Sequence, residues 1–180
     1  MTGQRRGEAQ PIPGAALRPI HAGAKMNETN RVIAHYLDGR VVKGTTEDFH
    51  PERRQFHLHP LEASAAVVID NRQLKAVFFV RDFVGNPGRK DLRGFGLVSG
   101  EQTQGKKIAI EFKDGERIQG YTLAYTPDRQ GFFVVPADPG SNNLRIYVLK
   151  GATRQILVGA KAEAFDPSAT SGQSPDQAAA

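Results

Sequence analysis

The sequence predicts an all-β protein made of two tandem five-stranded antiparallel small barrels with disordered tails. Three observations lead to this fold class: a block of residues recurs 76 positions further along the chain, apolar and polar residues alternate inside both copies, and each copy contains an Asp-Gly turn. The recurring residues include Asp38-Gly39 with Asp114-Gly115, Gly44 with Gly120, Phe56 with Phe132, and Pro60 with Pro136. Because these are strand, turn and core residue types, the duplicated part is a structural scaffold.

The repeat and the composition divide the 180 residues into five segments. They are a basic N-terminal tail over 1–28, a first small barrel over 29–84, a Gly-rich basic linker over 85–105, a second small barrel over 106–160, and a C-terminal tail over 161–180. Neither tail carries enough apolar residues to offset its ordering entropy, so both are predicted to be disordered. Each barrel is near the lower size limit for independent folding, so the two are expected to lean on each other.

The first strand of each copy is recognised by the alternation of its apolar and polar residues. In the second copy, Ile108, Ile110 and Phe112 point to one face while the residues between them point to the other, and 32–36 follow the same pattern in the first copy. Each strand ends at Asp-Gly, which tolerates positive φ and suits a two-residue type I′ hairpin. A second strand of β-branched residues therefore follows directly in both copies.

The second to fifth strands are marked by glycine, proline and apolar runs. Gly44 and Gly120 stand in the middle of the second strands, where a missing side chain permits a sharp bend. The third strands end at Pro60 and Pro136. The fourth and fifth strands are assigned to the remaining apolar runs, at 67–69, 74–80, 144–149 and 154–158. Closing five short curved strands into a barrel would remove their exposed edges.

The order of these residues also resembles a known pattern. A strand, Asp-Gly, four residues, a glycine and then an aromatic residue is similar to the first signature of the Sm-like family of RNA-associated small barrels. This order runs from Tyr36 through Gly44 to Phe49, and again from Phe112 through Gly120 to Tyr125. Segment 74–78 is similar to that family's second signature, and Lys150-Gly151 resembles its basic-Gly pair. The tandem as a whole resembles an uncharacterised bacterial domain family of unknown function.

Composition limits the classes of function. The chain has no cysteine, which excludes disulfides, thiolate metal sites and a cysteine nucleophile. It has no Gly-x-Ser-x-Gly elbow, dinucleotide fingerprint or phosphate loop, so we predict that it is not an enzyme and needs no cofactor. No signal peptide and no apolar run long enough for a membrane span is present, so a cytoplasmic protein without a membrane partner is expected.

The favoured function is a non-enzymatic binding or assembly module that acts through barrel edges and loops, with a protein partner or self-association. Phe133 and Val135 are the candidate interface residues, because they lie opposite Phe132 and Val134 and make their strand apolar on both faces. This outer face is predicted to pack on the first copy or on another subunit.

Two other functions stay open. The net charge of +5 favours anionic partners weakly, and sequence-tolerant binding of RNA or single-stranded DNA would use basic loop and linker residues. The candidate contacts are Arg53, Arg54, Arg89, Lys90 and Arg93. The third class is a metal-dependent enzyme, since His57 and His59 share one strand face, although an exposed polar face explains the same spacing.

Overall fold

The computed structural model describes residues 29–86, 88–89, 94–95 and 105–165. Its strands are β1 Asn30–Tyr36, β2 Val41–Thr46, β3 Gln55–Pro60, β4 Val67–Asp70, β5 Leu74–Val80, β6 Lys106–Phe112, β7 Arg117–Thr122, β8 Gly131–Pro136, β9 Asn143–Leu149 and β10 Thr153–Val158. Short 3₁₀ turns at Asn71–Gln73 and Lys150–Ala152 lead into β5 and β10, and the helix α1 spans Ala160–Glu163. The prediction of an all-β chain is therefore confirmed. We call β1–β5 unit 1 and β6–β10 unit 2.

The strands form one open antiparallel sheet in the order β10-β6-β7-β8-β9-β5-β1-β2-β3-β4. The prediction of two separately closed barrels is wrong, because the sheet is not closed. The reason is that the fifth strand of unit 1 pairs with the fourth strand of unit 2. Ala76 lies opposite Val148, and Phe78 lies opposite Ile146. We call this β5–β9 contact the inner joint; it makes the two units one continuous sheet.

The Asp-Gly hairpins have longer loops than predicted. The backbone N–H of Tyr36 donates to the carbonyl oxygen of Arg40 at 2.9 Å, which leaves three residues in the loop instead of two. Gly39 adopts φ +87°, whereas Asp38 accepts hydrogen bonds from the backbone N–H and Nε of Arg40. This is the three-residue hairpin in which only the glycine is left-handed. The loop at Gly115, with φ +86°, is built in the same way.

The second-strand glycines are required by a close approach of backbone. A Cβ atom on Gly44 would overlap the carbonyl oxygen of His59, and a Cβ atom on Gly120 would overlap the carbonyl oxygen of Val135. In both units the third strand therefore crosses directly over the glycine. Any larger residue would push the second and third strands apart.

Two hydrophobic cores lie on opposite faces of the inner joint. Leu74, Val77 and Phe79 of β5 belong to the core of unit 1, together with Tyr147 and Leu149 of β9. The intervening side chains of the same two strands, Ala76, Phe78, Val80, Ile146 and Val148, belong to the core of unit 2. All seven residues of β5 are buried. The inner joint is thus shared by both cores.

Parts of the predicted linker and C-terminal tail pack on unit 2. Ala162 of α1 is fully buried, and Lys107 Nζ lies 2.6 Å from Glu163 Oε1, so the folded part extends beyond residue 160. In the linker, the ring of Phe95 contacts Tyr121 at 5.7 Å. The disorder predicted for 1–28 and for 166–180 lies outside the described residues. Among the helices of the described ranges, none has the length and apolar character needed to cross a bilayer.

Candidate interaction site at the strand edges

An aromatic cluster lies across the inner joint. Phe49, in the loop after β2, contacts the rings of Phe79, Phe133 and Tyr147 at 5.3, 6.3 and 5.3 Å. The structure thus places the candidate interface residue Phe133 against unit 1, half-buried. Arg145 covers the cluster, with its guanidinium carbon 4.4 Å from the centre of the Phe79 ring. Edge-on aromatic pairs of this kind add stabilisation beyond their buried area, so the cluster strengthens the apolar packing of the joint.

Val135, the second candidate interface residue, lies elsewhere. Its side chain is 45% exposed on β8, which has strand neighbours on both sides. A hydroxyl group also joins the two units: Tyr147 of β9 donates to the carbonyl oxygen of Pro51 in unit 1 at 3.0 Å. Burial raises the pKa of Tyr147, so its hydroxyl stays a donor at neutral pH.

A buried lysine forms the polar part of the inner joint. The ammonium group of Lys75 on β5 contacts the carboxylates of Asp114 and Glu116 in the β6–β7 hairpin, and it lies 4.4 Å from the centre of the Phe112 ring. Burial would raise the pKa of Asp114, but the hydrogen bond and charge of Lys75, together with the backbone N–H of Glu116, outweigh burial and hold that pKa below its ordinary value. Sequence analysis missed this contact. The available signal was one lysine inside an otherwise apolar run.

His35 lies beside this polar contact. Its ring packs on Phe78 with 4.4 Å between ring centres. Burial lowers the pKa of His35, and Lys75 acts in the same direction, whereas Glu116 and Asp114 oppose the shift. The imidazole is therefore held in its neutral form near neutral pH.

The two outermost strands of the sheet are β4 and β10. Within the described residues each has a strand neighbour on one side, so the other side of its backbone is open. On β4, the side chains of Val67 and Val68 are 38% and 56% exposed. On β10, Arg154 and Gln155 are exposed and the three residues that follow are half-buried. An open strand edge presents a row of unpaired backbone N–H and C=O groups, to which another strand can in general be added.

These edge strands correspond to the strands of the inner joint. In unit 1, Phe56 of β3 lies opposite Ile69 of β4; in unit 2, Phe132 of β8 lies opposite Val148 of β9. In the same way, β10 corresponds to β5, because β10 pairs with β6, the first strand of unit 2, as β5 pairs with β1, the first strand of unit 1. The inner joint pairs the fifth strand of one unit with the fourth strand of the other. Among the described residues, the remaining fourth strand, β4, and the remaining fifth strand, β10, form the two open ends of the sheet.

Comparison with known proteins gives a family. Residues 28–159 match a family of unknown function (DUF6982). The chain belongs to this family. The matched range includes all ten strands of the DUF6982 chain, so the family domain consists of both units and the inner joint. The expected likeness to an uncharacterised domain family is confirmed. No curated protein and no solved structure matches the chain, and nothing found supports the resemblance to the Sm-like family.

The basic residues considered for nucleic-acid binding are anchored in different units of the DUF6982 chain. Arg54 Nε lies 3.1 Å from Asp70 Oδ2 at the end of β4. Arg53 is exposed next to it. Arg89 instead contacts the buried carboxylate of Asp138 in unit 2, at 2.7 Å. Lys90 and Arg93 lie outside the described residues. Carboxylates thus compensate two of the three described cations.

One of the two histidines of β3, His57, is hydrogen-bonded to a nearby acid. His57 Nδ1 lies 2.7 Å from Asp48 Oδ2, and the backbone N–H of His57 donates to Asp48 Oδ1 at 2.9 Å. Burial would raise the pKa of Asp48, but the hydrogen bonds from His57 and Thr46 together outweigh burial and lower that pKa. His59 is exposed. Across the described part of the chain, there is no group of three or more His, Cys, Asp or Glu residues that could hold a metal ion.

Proposed function

We propose that the DUF6982 chain is a non-enzymatic binding or assembly module that acts through the edges of its sheet and the adjoining loops. The observation that supports this proposal is the contrast between the inner joint, where a fourth and a fifth strand pair, and the two outer edges, where the corresponding strands are open. Added strands obtain affinity from main-chain hydrogen bonds and specificity from alternate side chains. Both β4 and β10 offer an open main-chain edge and side chains that alternate between the two faces.

The residues of β4 support this role. Natural sheets often protect an edge with lysine, proline or an inward charge. The strand Val67–Asp70 is short but has none of these before its last residue, and two of its valines are exposed. At the inner joint, by contrast, the two cores occupy both faces of the paired strands. An incoming strand therefore finds backbone groups and apolar side chains at the edge.

The test is self-association of the full chain. Particle mass would be measured by light scattering over a range of protein concentrations, at low and high salt. We expect mass to rise with concentration at both salt levels, because backbone pairing and apolar contact are weakly screened. Val68→Lys should lower the mass. Its matched control is Val135→Lys, a similarly exposed valine on an internal strand, which should leave the mass unchanged.

Three results would count against the proposal. A particle that stays monomeric at every concentration removes the assembly role of the edges. Loss of association in Val135→Lys but not in Val68→Lys would show that the molecules contact each other through the face of β8 and not through the edge at β4. Association that requires added RNA or single-stranded DNA, and that weakens steeply as salt rises, favours nucleic-acid binding through Arg53, Arg54, Arg89, Lys90 and Arg93.

A further inference from the structure

The pairing at the inner joint gives a register for the open edges. The fourth strands correspond residue by residue, with Val67 to Ile146, Val68 to Tyr147 and Ile69 to Val148, as their pairing with the third strands shows. The fifth strands correspond in the same way, with Ala76 to Gln155, Val77 to Ile156 and Phe78 to Leu157, as their pairing with the first strands shows. Any contact between β4 and β10 can therefore be compared with a contact already present in the chain.

We propose that the open β4 edge of one molecule pairs in antiparallel fashion with the open β10 edge of a second copy of this chain. This inference rests on the proposed function and names the partner. At the inner joint Val77 lies opposite Tyr147, so Ile156 of one copy is expected opposite Val68 of the next. Gln155 then lies opposite Ile69, and Leu157 lies opposite Val67.

The geometry of β10 is suited to this pairing. The register of β5 with β1 shifts next to Tyr36, and the register of β10 with β6 shifts next to Thr153, at the corresponding place. The bulge that shapes β5 for the inner joint is therefore present at the outer edge as well. Ile156 and Leu157 are half-buried there, as expected for residues with neighbours on one side of the strand.

The polar contact of the inner joint is partly reproduced. Arg154 corresponds to Lys75, and Asp38 corresponds to Asp114; the side chains of Arg154 and Asp38 are 64% and 55% exposed. Arg154 of one copy would thus approach Asp38 of the next. The match is incomplete because Arg40 stands where unit 2 has Glu116. This like charge weakens the outer contact relative to the inner joint.

The aromatic cluster is replaced by smaller or polar groups. Phe79, Phe133 and Tyr147 correspond to Val158, His57 and Val68. The outer contact therefore buries less apolar surface and is expected to be reversible, whereas the inner joint is permanent. Because two different edges meet, the contact is heterologous: it extends from copy to copy until a ring closes or a filament grows.

Cysteine cross-linking tests the pairing, since the chain has no cysteine of its own. Directly opposed residues of antiparallel strands have Cα atoms about 4.5–5.5 Å apart, within the range that a disulfide spans. The variants Val68→Cys and Ile156→Cys would be prepared separately, mixed and oxidised mildly. We expect a covalent dimer that contains one molecule of each variant, several-fold more abundant than the dimer that either variant forms alone.

The matched control is Val67→Cys mixed with Ile156→Cys. Val67 points to the opposite face from Val68, so this mixture should yield no more linked dimer than either single variant alone. A double variant with cysteine at 68 and 156 should give a ladder of linked copies or one closed species, and both results support head-to-tail pairing. Circular dichroism of the reduced variants checks that each one folds.

The outcomes separate this inference from the proposed function. Dimers formed by Val68→Cys alone or by Ile156→Cys alone, in place of the mixed dimer, would leave edge assembly standing and overturn head-to-tail pairing. Equal yields from the Val67 and Val68 variants would overturn the register. No linked species, together with a monomeric mass at every concentration, would overturn both the inference and the proposed function.

Discussion

The two units have corresponding strands and turns, yet their fourth and fifth strands lie in opposite environments. β5 is central, buried at every position and carries two phenylalanines, and its partner β9 is buried from Ile146 to Leu149 and carries Tyr147, whereas β10 and β4 are outermost and carry valine, glutamine and arginine at the corresponding positions. The backbone pairing within each unit is the same, so the difference between the central and the outermost strands lies in the side chains that they carry. Substituting corresponding residues in the two units measures what the central position contributes.

The largest difference is expected at Phe79 and its counterpart Val158. Phe79→Ala removes a ring that is 3% exposed and contacts Phe49 and Phe133, and it should lower the free energy of unfolding by about 3–5 kcal/mol. Val158→Ala, at a half-buried edge position, should cost less than about 1 kcal/mol. Urea denaturation of both variants checks this contrast. Equal losses would show that the inner joint is no better packed than the edge.

The next contrast is between Lys75 and Arg154. Lys75→Met removes the buried cation and leaves Asp114 and Glu116 without it; because these carboxylates are 55% and 41% exposed, water compensates in part and the cost should be about 1–2 kcal/mol. Arg154→Met, which loses one 3.3 Å contact to Glu111, should change stability by less than about 0.5 kcal/mol. Urea denaturation at neutral pH measures both values.

The loss of folding stability at acidic pH provides a second test of the contact between Lys75 and Asp114. The pKa of Asp114 is lower in the folded state than in the unfolded state, so its contribution is complete above the unfolded value of 3.8 and is lost as pH falls through the folded value. Lys75→Met should therefore show a smaller loss of stability in acid than the unaltered chain. The same loss in both proteins would contradict the assignment of that pKa shift to Lys75.

Much of the strand framework could be predicted from the sequence because local rules determine it. Alternation located β1 and β6, and the glycines at 44 and 120 fit a strand that another backbone crosses closely. The hairpin loops were predicted one residue too short. The type I′ rule gives both loop residues positive φ, whereas Asp38 binds Arg40 with its side chain and leaves positive φ to Gly39.

The inner joint could not be located by the same rules. The run Leu74–Val80 is apolar at nearly every position, which indicates a strand buried on both faces but does not say which strand lies beside it. Barrel closure and pairing with unit 2 both remove an exposed edge. Choosing between them depends on long-range contacts such as Phe49 with Tyr147, which no local spacing encodes.

A smaller contrast, of opposite sign, is expected at Thr46 and Thr122. Thr46 Oγ1 donates to Asp48 at 3.2 Å, whereas the buried Thr122 Oγ1 has no hydrogen-bond partner among the described residues, because Ala124 stands where unit 1 has Asp48. Thr46→Val should cost about 1 kcal/mol, and Thr122→Val should be neutral or stabilising by up to about 1 kcal/mol. A destabilised Thr122→Val would show that this hydroxyl is satisfied in solution.

The smallest effect is expected at His35, whose counterpart in unit 2 is Glu111. Burial beside Phe78 lowers the folded-state pKa of His35 below 6.5, so the unfolded chain binds a proton first as pH falls. Its contribution to stability is therefore complete above pH 6.5 and is lost as pH falls through the folded value. His35→Gln should flatten the dependence of stability on pH just below 6.5, a window in which Asp114 stays ionised. Urea denaturation across that window, with His59→Gln as the exposed control, distinguishes the two histidines; an unchanged slope in His35→Gln would show that the imidazole is hydrated in the folded state.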